Sequence, residues 1–394
     1  MTSLVVISDE EREIVETVRR FVEKDVRPNV DKLEREKRFP EALLATMKEL
    51  GLFGIAVPAE YDGLGLRLPV FAQVMEVLAG GWTTLAAYVN SHSTVAYAIA
   101  SHGTDDQKQR YLPSMAMGEH RGALCLTEPE AGSDLQSIKT VARADGNGYS
   151  LSGQKIFVTN GDRATLLLTL SKSAEPGPNG KPVMNLFLVE KQTPGVAVTS
   201  HFHKMAYGQV DTVEIVIDKA KVGRSQLLGG SEGKGFAQLM DGLEVGRIAI
   251  AASAVGLAAA ALSEAKRYAS VRKAFGTSID KHQAVQLRMA EMATKLVAAR
   301  LLTAEAAQVK DQGGRSDMLS GMAKLFASEA CLEIAGGSLR THGGYGYISE
   351  FPIERYYREA PLYIVGEGTN DIQKIVIARR MSGPDEMSYL GLSE

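Results

Sequence analysis

The sequence predicts an α+β fold that is mainly α, with its strands gathered in one middle block. Three observations carry that expectation. Apolar residues recur at helical spacing from residue 8 to about 120. Between about 121 and 235 the texture changes to short runs rich in Val, Ile, Leu, Phe and Thr, and from about 236 the helical pattern returns. A helix–strand–helix order argues for segregated elements and against an alternating α/β arrangement. The expected domains are 1–120, helical; 121–235, β; and 236–394, helical.

The first block opens on "SDEEREIVETVRRFVEKDV", where Ser8 is a candidate N-cap and Glu11, three residues on, completes a capping-box pattern. Ile14, Val18, Phe21 and Val22 then share one face. "PEALLATMKELG" has Pro40 at its start and Gly51 at its end, the asymmetry that helix termini favour. "GIAVPAEYDGLGL" reads as a turn-rich loop, followed by an apolar helix from about Pro69 to Gly80. In the middle block, "GYSLSGQKIFVTNG", "ATLLLTL", "MNLFLVE" and "DTVEIVI" are separated by Gly, Asn, Pro and Asp, including "EPGPNGKP". Short strands at such spacing suggest a small antiparallel barrel or sandwich. The third block contains the alanine-rich "RIAIAASAVGLAAAALSEAKRYASV", built from strong helix formers. No repeat of fixed period occurs.

With 394 residues, the chain has room for two or three domains, each with its own core, and 45% hydrophobic and 23% charged residues are an ordinary globular composition. A formal net charge of −3 gives no electrostatic reason to expect nucleic acid or an anionic membrane as partner. Cys125 and Cys331 are far apart, which speaks against a disulfide framework or a CxxC site and for a reducing compartment. The N-terminus turns acidic almost at once and resembles neither a signal nor an Arg-rich transit segment. No charge-free apolar run reaches about 18 residues, so no membrane span is expected, and the expected location is cytoplasmic.

Several familiar motifs fail on inspection. "GGSEGKGF" lacks the first P-loop glycine, because Leu228 stands there, and Gly235 replaces the Ser or Thr that binds magnesium. "GGYGYISE" has neither the spacing nor the strand–turn–helix context of a dinucleotide fingerprint. HExxH is absent, "GGSEG" at 229–233 has the letters of GxSxG but is no nucleophile elbow, and His201 and His203 read as a loop pair and not as a metal site.

What remains is "YIVGEGTNDIQK", where Glu367 lies alone between Gly366 and Gly368. Taken by itself, such a tripeptide is an ordinary surface turn. Four segments in order change that expectation: "ALCLTEPEAGSD", "GQKIFVTNG", "RYASVRKAFGTSIDKHQ", and "THGGYGY" with the closing "VGEGTNDIQ". In sequence, order and separation they resemble the acyl-CoA dehydrogenase family across essentially the whole chain. The resemblance implies an N-terminal helical domain, a middle β-barrel or sandwich domain and a C-terminal four-helix bundle, usually in a homotetramer. It also implies FAD as cofactor, an acyl-CoA as substrate and an electron-transferring flavoprotein as electron acceptor.

The chemistry gives these residues roles. Desaturating a thioester between Cα and Cβ needs a base for the Cα proton and an acceptor for the Cβ hydride, and no side chain accepts a hydride. Glu367 matches the family's base, whose pKa rises when an acyl chain displaces water. Gly368 would let backbone approach the thioester. The resemblance places Leu124 and the Thr127 hydroxyl at the flavin and Ser133 near flavin or CoA phosphate. Phe157 lies where an aromatic ring stacks on the isoalloxazine, although alternation alone would equally make it a core strand residue. Thr159 meets the ring. Arg272 matches the arginine that pairs with the FAD pyrophosphate, often across a subunit boundary, accompanied by Phe275 and Gln283. Arg340, Gly343, Gly344, Thr369 and Asp371 are expected at FAD. Arg247, with Glu244 at i, i+3, matches a pair that holds the nucleotide end of CoA; on its own it is an ordinary helix ion pair.

Some positions depart from the family pattern. Arg340 stands where many relatives carry Gln, Gly366 where straight-chain enzymes often carry Tyr, and Gly246 where isovaleryl-type relatives supply their glutamate. The two glycines suggest room for a branched or bulky acyl group. The region around Leu85 lacks the arginine of glutaryl-type relatives, which argues against a dicarboxylyl thioester. The alternative within the fold is a flavin-dependent monooxygenase or oxidase acting on a non-CoA or carrier-bound substrate; outside it, a flavin-free helical scaffold.

Overall fold

A computed structural model of the chain describes residues 7–177 and 180–381; the ends of the first and third expected domains, 1–6 and 382–394, lie outside the described residues. The N-terminal helices are α1 (Asp9–Phe21), α2 (Arg27–Arg35), α3 (Glu41–Glu49), α4 (Leu68–Gly81), α5 (Thr83–His102) and α6 (Asp105–Ala116). The capping box of α1 forms as expected: the Glu11 amide donates to Ser8 Oγ at 3.1 Å and the Ser8 amide to Glu11 Oε2 at 2.7 Å. The same carboxylate also receives Arg67, at the head of α4, at 2.7 Å through both Nε and Nη2. A local cap thereby fixes a long-range angle.

The middle strands are β1 (Gly122–Cys125), β2 (Val141–Asp145), β3 (Gly148–Thr159), β4 (Leu166–Ser173), β5 (Met184–Glu190), β6 (Val196–His201) and β7 (Thr212–Gly223). They form one seven-stranded sheet in the order β1-β4-β2-β3-β7-β6, with β5 also paired to β4. The sheet is mixed, not antiparallel throughout. β1 and β2 lie end to end along one edge of β4, both parallel to it, at Gly122↔Leu166 and Val141↔Lys172. Hairpin spacing cannot reveal such pairings, because strand direction there depends on a long excursion of the chain. In β3 the register slips between Lys155 and Val158, a bulge of one residue opposite β7.

The C-terminal helices are α7 (Gly235–Val271), α8 (Gln283–Asp311), α9 (Asp317–His342), α10 (Ile353–Glu359), α11 (Pro361–Val365) and α12 (Asn370–Arg380). A small hairpin of β8 (Lys273–Ala274) and β9 (Thr277–Ser278) joins α7 to α8. With 37 residues, α7 has the length and apolarity to cross a membrane, yet 83% of its most apolar window is buried against other parts of the protein. It is a core helix. α4 crosses it so closely that a Cβ on Gly256 would fall 2.2 Å from the Glu76 carbonyl oxygen. Glu76 also receives Arg300 at 3.0 and 2.7 Å, which ties α4 to α8 as well. One apolar core runs from the N-terminal helices into this bundle, and a second joins α5 and α6 to the sheet.

Candidate active site

Glu367 lies on the turn between α11 and α12, half-buried, with φ +52, a left-handed conformation that a non-glycine residue adopts only under constraint. Gly368 follows at φ +81, where a Cβ would stand 2.8 Å from Gln373 Nε2. Glycine is favoured there by its backbone conformation, and a Cβ would also displace the Gln373 amide. The carboxylate points at α5 and α7. Asn90 Nδ2 donates to Oε1 over 3.4 Å, and Oε2 faces Gly246, at which a Cβ would lie 3.2 Å away. Burial raises the Glu367 pKa, against the lowering effects of Arg247, Lys324 and the Asn90 bond.

Arg247 is 5% exposed and its Nε has no hydrogen-bond partner among the described residues. It faces the carboxylates of Glu244, Glu367 and Asp317, and desolvation lowers its pKa. The expected pairing with Glu244 is not what forms. Glu244 Oε2 instead accepts from Lys310 Nζ at 2.9 Å and Ser316 Oγ at 2.7 Å. Lys310 is itself nearly buried and is also shared with Asp241, so a compact ammonium from α8 claims the carboxylate that helical spacing offered to Arg247. Arg247 is left with an open donor beside the base.

The residues expected at the flavin ring gather on the middle sheet. Thr127 sits half-buried just beyond β1, and its carbonyl accepts from the Ile156 amide at 2.8 Å, tying that loop to the bulge of β3. The bulge turns Phe157 outward: it has φ +55 and is 58% exposed, tilted against Phe202 at 4.9 Å. Phe157 is thus a presented aromatic face and not a core strand residue. Thr159 and Leu124 are half-buried, and Ser133 is exposed. Glu128, which composition alone would place on the surface, is buried and receives Lys155 Nζ at 2.8 Å.

A third group gathers in the C-terminal domain. Arg272, Arg340, Gly343 and Gly344 line an open hollow of about 510 Å³ together with Tyr268 and Tyr345. Among the described residues, nothing lies within 4 Å of the position a Cβ would take on either glycine. Two guanidinium groups over bare backbone suit a diphosphate. Phe275, 97% exposed, projects from the β8–β9 hairpin beside it, and Gln283 starts α8, exposed; neither lines the hollow. Thr369 caps α12, accepting from the Ile372 amide at 3.4 Å, and Asp371 pairs with Lys374. The presented ring suits the isoalloxazine of FAD and the doubly cationic hollow suits its diphosphate.

Two residues at the base were missed by motif reasoning. Asn90 belongs to "NSHST", Asn90 to Thr94, five buried polar residues in succession on α5. A polar run inside a buried helix was the available signal. Its neighbour Ser91 accepts from Asn160 Nδ2, just past Thr159, at 2.8 Å. Adjacent residues of α5 thus hold the base loop and the end of the flavin strand. The other is Lys324, fully buried on α9 between Ala323 and Leu325.

Three family descriptions match the chain in succession: "Acyl-CoA dehydrogenase, N-terminal domain" over residues 8–119, "Acyl-CoA dehydrogenase, middle domain" over 123–220 and "Acyl-CoA dehydrogenase, C-terminal domain" over 233–382. An acyl-CoA dehydrogenase of Bacillus subtilis is 37% identical over 367 residues, 93% of this chain and 96% of that protein. The structure of butyryl-CoA dehydrogenase from Megasphaera elsdenii superposes with a TM-score of 0.90 at 31% identity, covering 96% of this chain and 100% of that one. A glutaryl-CoA dehydrogenase from Mycobacterium smegmatis in complex with FADH2 gives 0.88 at 26% identity, covering 96% and 95%.

Proposed function

The chain belongs to the acyl-CoA dehydrogenase family of FAD-dependent oxidoreductases, and on that premise we propose that it desaturates an acyl-CoA to the trans-2-enoyl-CoA with Glu367 as base. The observation that carries this is the setting of the Glu367 carboxylate. Oxygen Oε1 is occupied by Asn90, while Oε2 faces the space left by the missing side chain at Gly246. Oε2 is the atom that takes the Cα proton. Arg247 and Lys324 act against burial and favour the ionised carboxylate, as a base requires. FAD, when bound, supplies the acceptor for the hydride that leaves Cβ.

On this proposal, Phe157 stacks on the flavin, with Leu124, Thr127, Thr159, Thr369 and Asp371 around it. Arg272, Arg340, Gly343 and Gly344 hold the diphosphate, with Phe275 and Gln283 completing that end. Arg247 offers its open donor to the substrate, Gly368 gives it backbone access, and Ser133 and Glu244 lie toward the CoA. Homotetramer formation and electron transfer to an electron-transferring flavoprotein belong to the same proposal. The exposed ring of Phe275 supports the former, since so bare an aromatic favours being covered.

The direct test is an anaerobic visible spectrum of the holoprotein with a panel of straight and branched saturated acyl-CoAs. One of them should bleach the flavin. The bleaching rate should fall toward acid as Glu367 takes up a proton, with a midpoint above the ordinary glutamate value of about 4.3. A rate that stays flat below that value would remove Glu367 as the base.

The acyl group we propose is branched or bulky, because glycines at 246 and 366 leave the base uncrowded. At Gly366 the backbone is extended, φ −77 and ψ 160, so a side chain is allowed, but its Cβ would lie 3.1 Å from the Leu362 carbonyl oxygen. Gly366→Tyr should lower kcat/KM for a branched substrate about tenfold more than for a butyryl-type one. Equal losses would count against the added room.

A further inference from the structure

We propose that Lys324 is a positioning residue for this reaction: its ammonium ties together the two ends of the loop that carries Glu367 and sets a buried positive charge beside it. The inference rests on Glu367 being the base. Lys324 has no exposed surface. Its Nζ donates to the Ile364 carbonyl at 3.0 Å and to Asn370 Oδ1 at 2.8 Å, three residues before and three residues after Glu367. Asn370 is held in turn, donating from Nδ2 to Ser328 Oγ at 2.9 Å and to Glu329 Oε1 at 2.8 Å. Lys324 and Ser328, four residues apart, share one face of α9 and Glu329 reaches Asn370 from its flank, so a single rigid helix clamps both ends of the turn. Glu367 can keep its left-handed backbone because its flanks are fixed.

A lysine in this place is costly. Burying an ammonium carries a desolvation penalty that a methionine of similar length would avoid, while methionine would lose both hydrogen bonds. The groups that face Glu367 are Asn90 from α5, Arg247 from α7 and Lys324 from α9; Glu329, also on α9, acts on Lys324. Burial pushes the Lys324 pKa down to about 8, with Glu367 and Glu329 holding it up and Arg247 pushing further down. At neutral pH the ammonium is therefore charged and lowers the proton affinity of Glu367. Without that charge, Glu367 would keep its proton to higher pH.

The test uses the FAD-loaded enzyme and a saturated acyl-CoA that bleaches the wild type, followed anaerobically by stopped flow. A wild type that no acyl-CoA bleaches would overturn the functional proposal itself, whatever Lys324 does. Given wild-type bleaching, Lys324→Met should keep its flavin spectrum, slow flavin reduction about 30-fold and move the acid limb of the rate upward by about one pH unit. Substrate affinity should change less than about threefold. Lys324→Arg, which keeps the charge, should leave the limb in place with a smaller loss of rate. The carboxyl infrared band that Glu367→Gln removes should titrate upward by a similar amount in Lys324→Met. Wild-type rates in Lys324→Met, or a slowed rate with an unmoved limb, would overturn the proposal. If that variant does not accumulate, Lys324→Arg decides: a reduced rate with the limb in place supports it, and a wild-type rate or a displaced limb overturns it.

Discussion

Glu367→Gln should leave a yellow protein that no acyl-CoA bleaches on the timescale of the wild type, with the reduction rate lower by about 10³-fold or more. The substitution is close to isosteric and changes one property. The glutamine carbonyl can still accept from Asn90, as Oε1 does now over 3.4 Å, and the left-handed backbone at this position is available to either residue at similar cost. What is lost is the ability of the second oxygen, opposite Gly246, to take a proton. Because Glu367 is partly stripped of water in the native state, neutralising it should hold stability level or raise it slightly. Flavin content, melting temperature and single-turnover reduction rate together make the check. A variant that still bleaches within tenfold of the wild type would place the base elsewhere.

Lys155→Met should be the most destabilising single change outside the base, costing about 3–5 kcal/mol, because it breaks a buried ion pair and leaves its partner behind. Lys155 is 0% and Glu128 5% exposed. The ammonium donates to Glu128 Oε1 at 2.8 Å and to the Leu126 carbonyl at 3.0 Å, while Glu128 also accepts from the backbone amides of Lys139 and Thr140. These bonds pin the Thr127 loop against β3 two residues from Phe157. Burial pushes the Glu128 pKa up, but Lys155 and the amides more than offset it, so the carboxyl titrates below its ordinary value. A depressed carboxylate contributes stability above its unfolded pKa and loses it as pH falls through the folded one. The gap in melting temperature between wild type and Lys155→Met should therefore be widest near neutral pH and narrow in acid. Adding Glu128→Gln should recover much of the loss, since no unpaired charge then remains. A single variant within about 1 kcal/mol of wild type would show that the pair carries little.

The parts of the fold legible in sequence were those governed by local rules. The capping box at Ser8 formed, the helix expected at about 69–80 spans Leu68–Gly81, and the alanine-rich run lies within α7. Strand direction was not legible: the parallel contacts of β1 and β2 with β4 depend on where the chain returns, which no local pattern records. At the site, Glu367 stood out because of its glycines, and the structure puts it against Asn90 and Gly246. Glu244 shows the limit of spacing arguments. Its neighbour at i+3 was the obvious partner, yet Lys310, 66 residues away, takes it. Lys324 escaped notice because a lone buried charge in a helix resembles any other until its partners are known, and Asn90 because the polar run around it shows its burial only once the neighbouring helices are placed.

The buried polar run of α5 has a consequence for how the site meets its substrate. Asn90 and Ser91 are consecutive, so their side chains leave the helix about 100° apart. One reaches Glu367 and the other Asn160 at the end of β3. The bearing between the proton-accepting side and the aromatic strand is thereby set by a covalent neighbour relation inside a single rod, and not by two independently moving loops. Such a gauge does not widen for a larger guest. A change in the size of acyl group accepted must therefore come from which side chains intrude, at positions such as 246 and 366, while the frame around them keeps its dimensions.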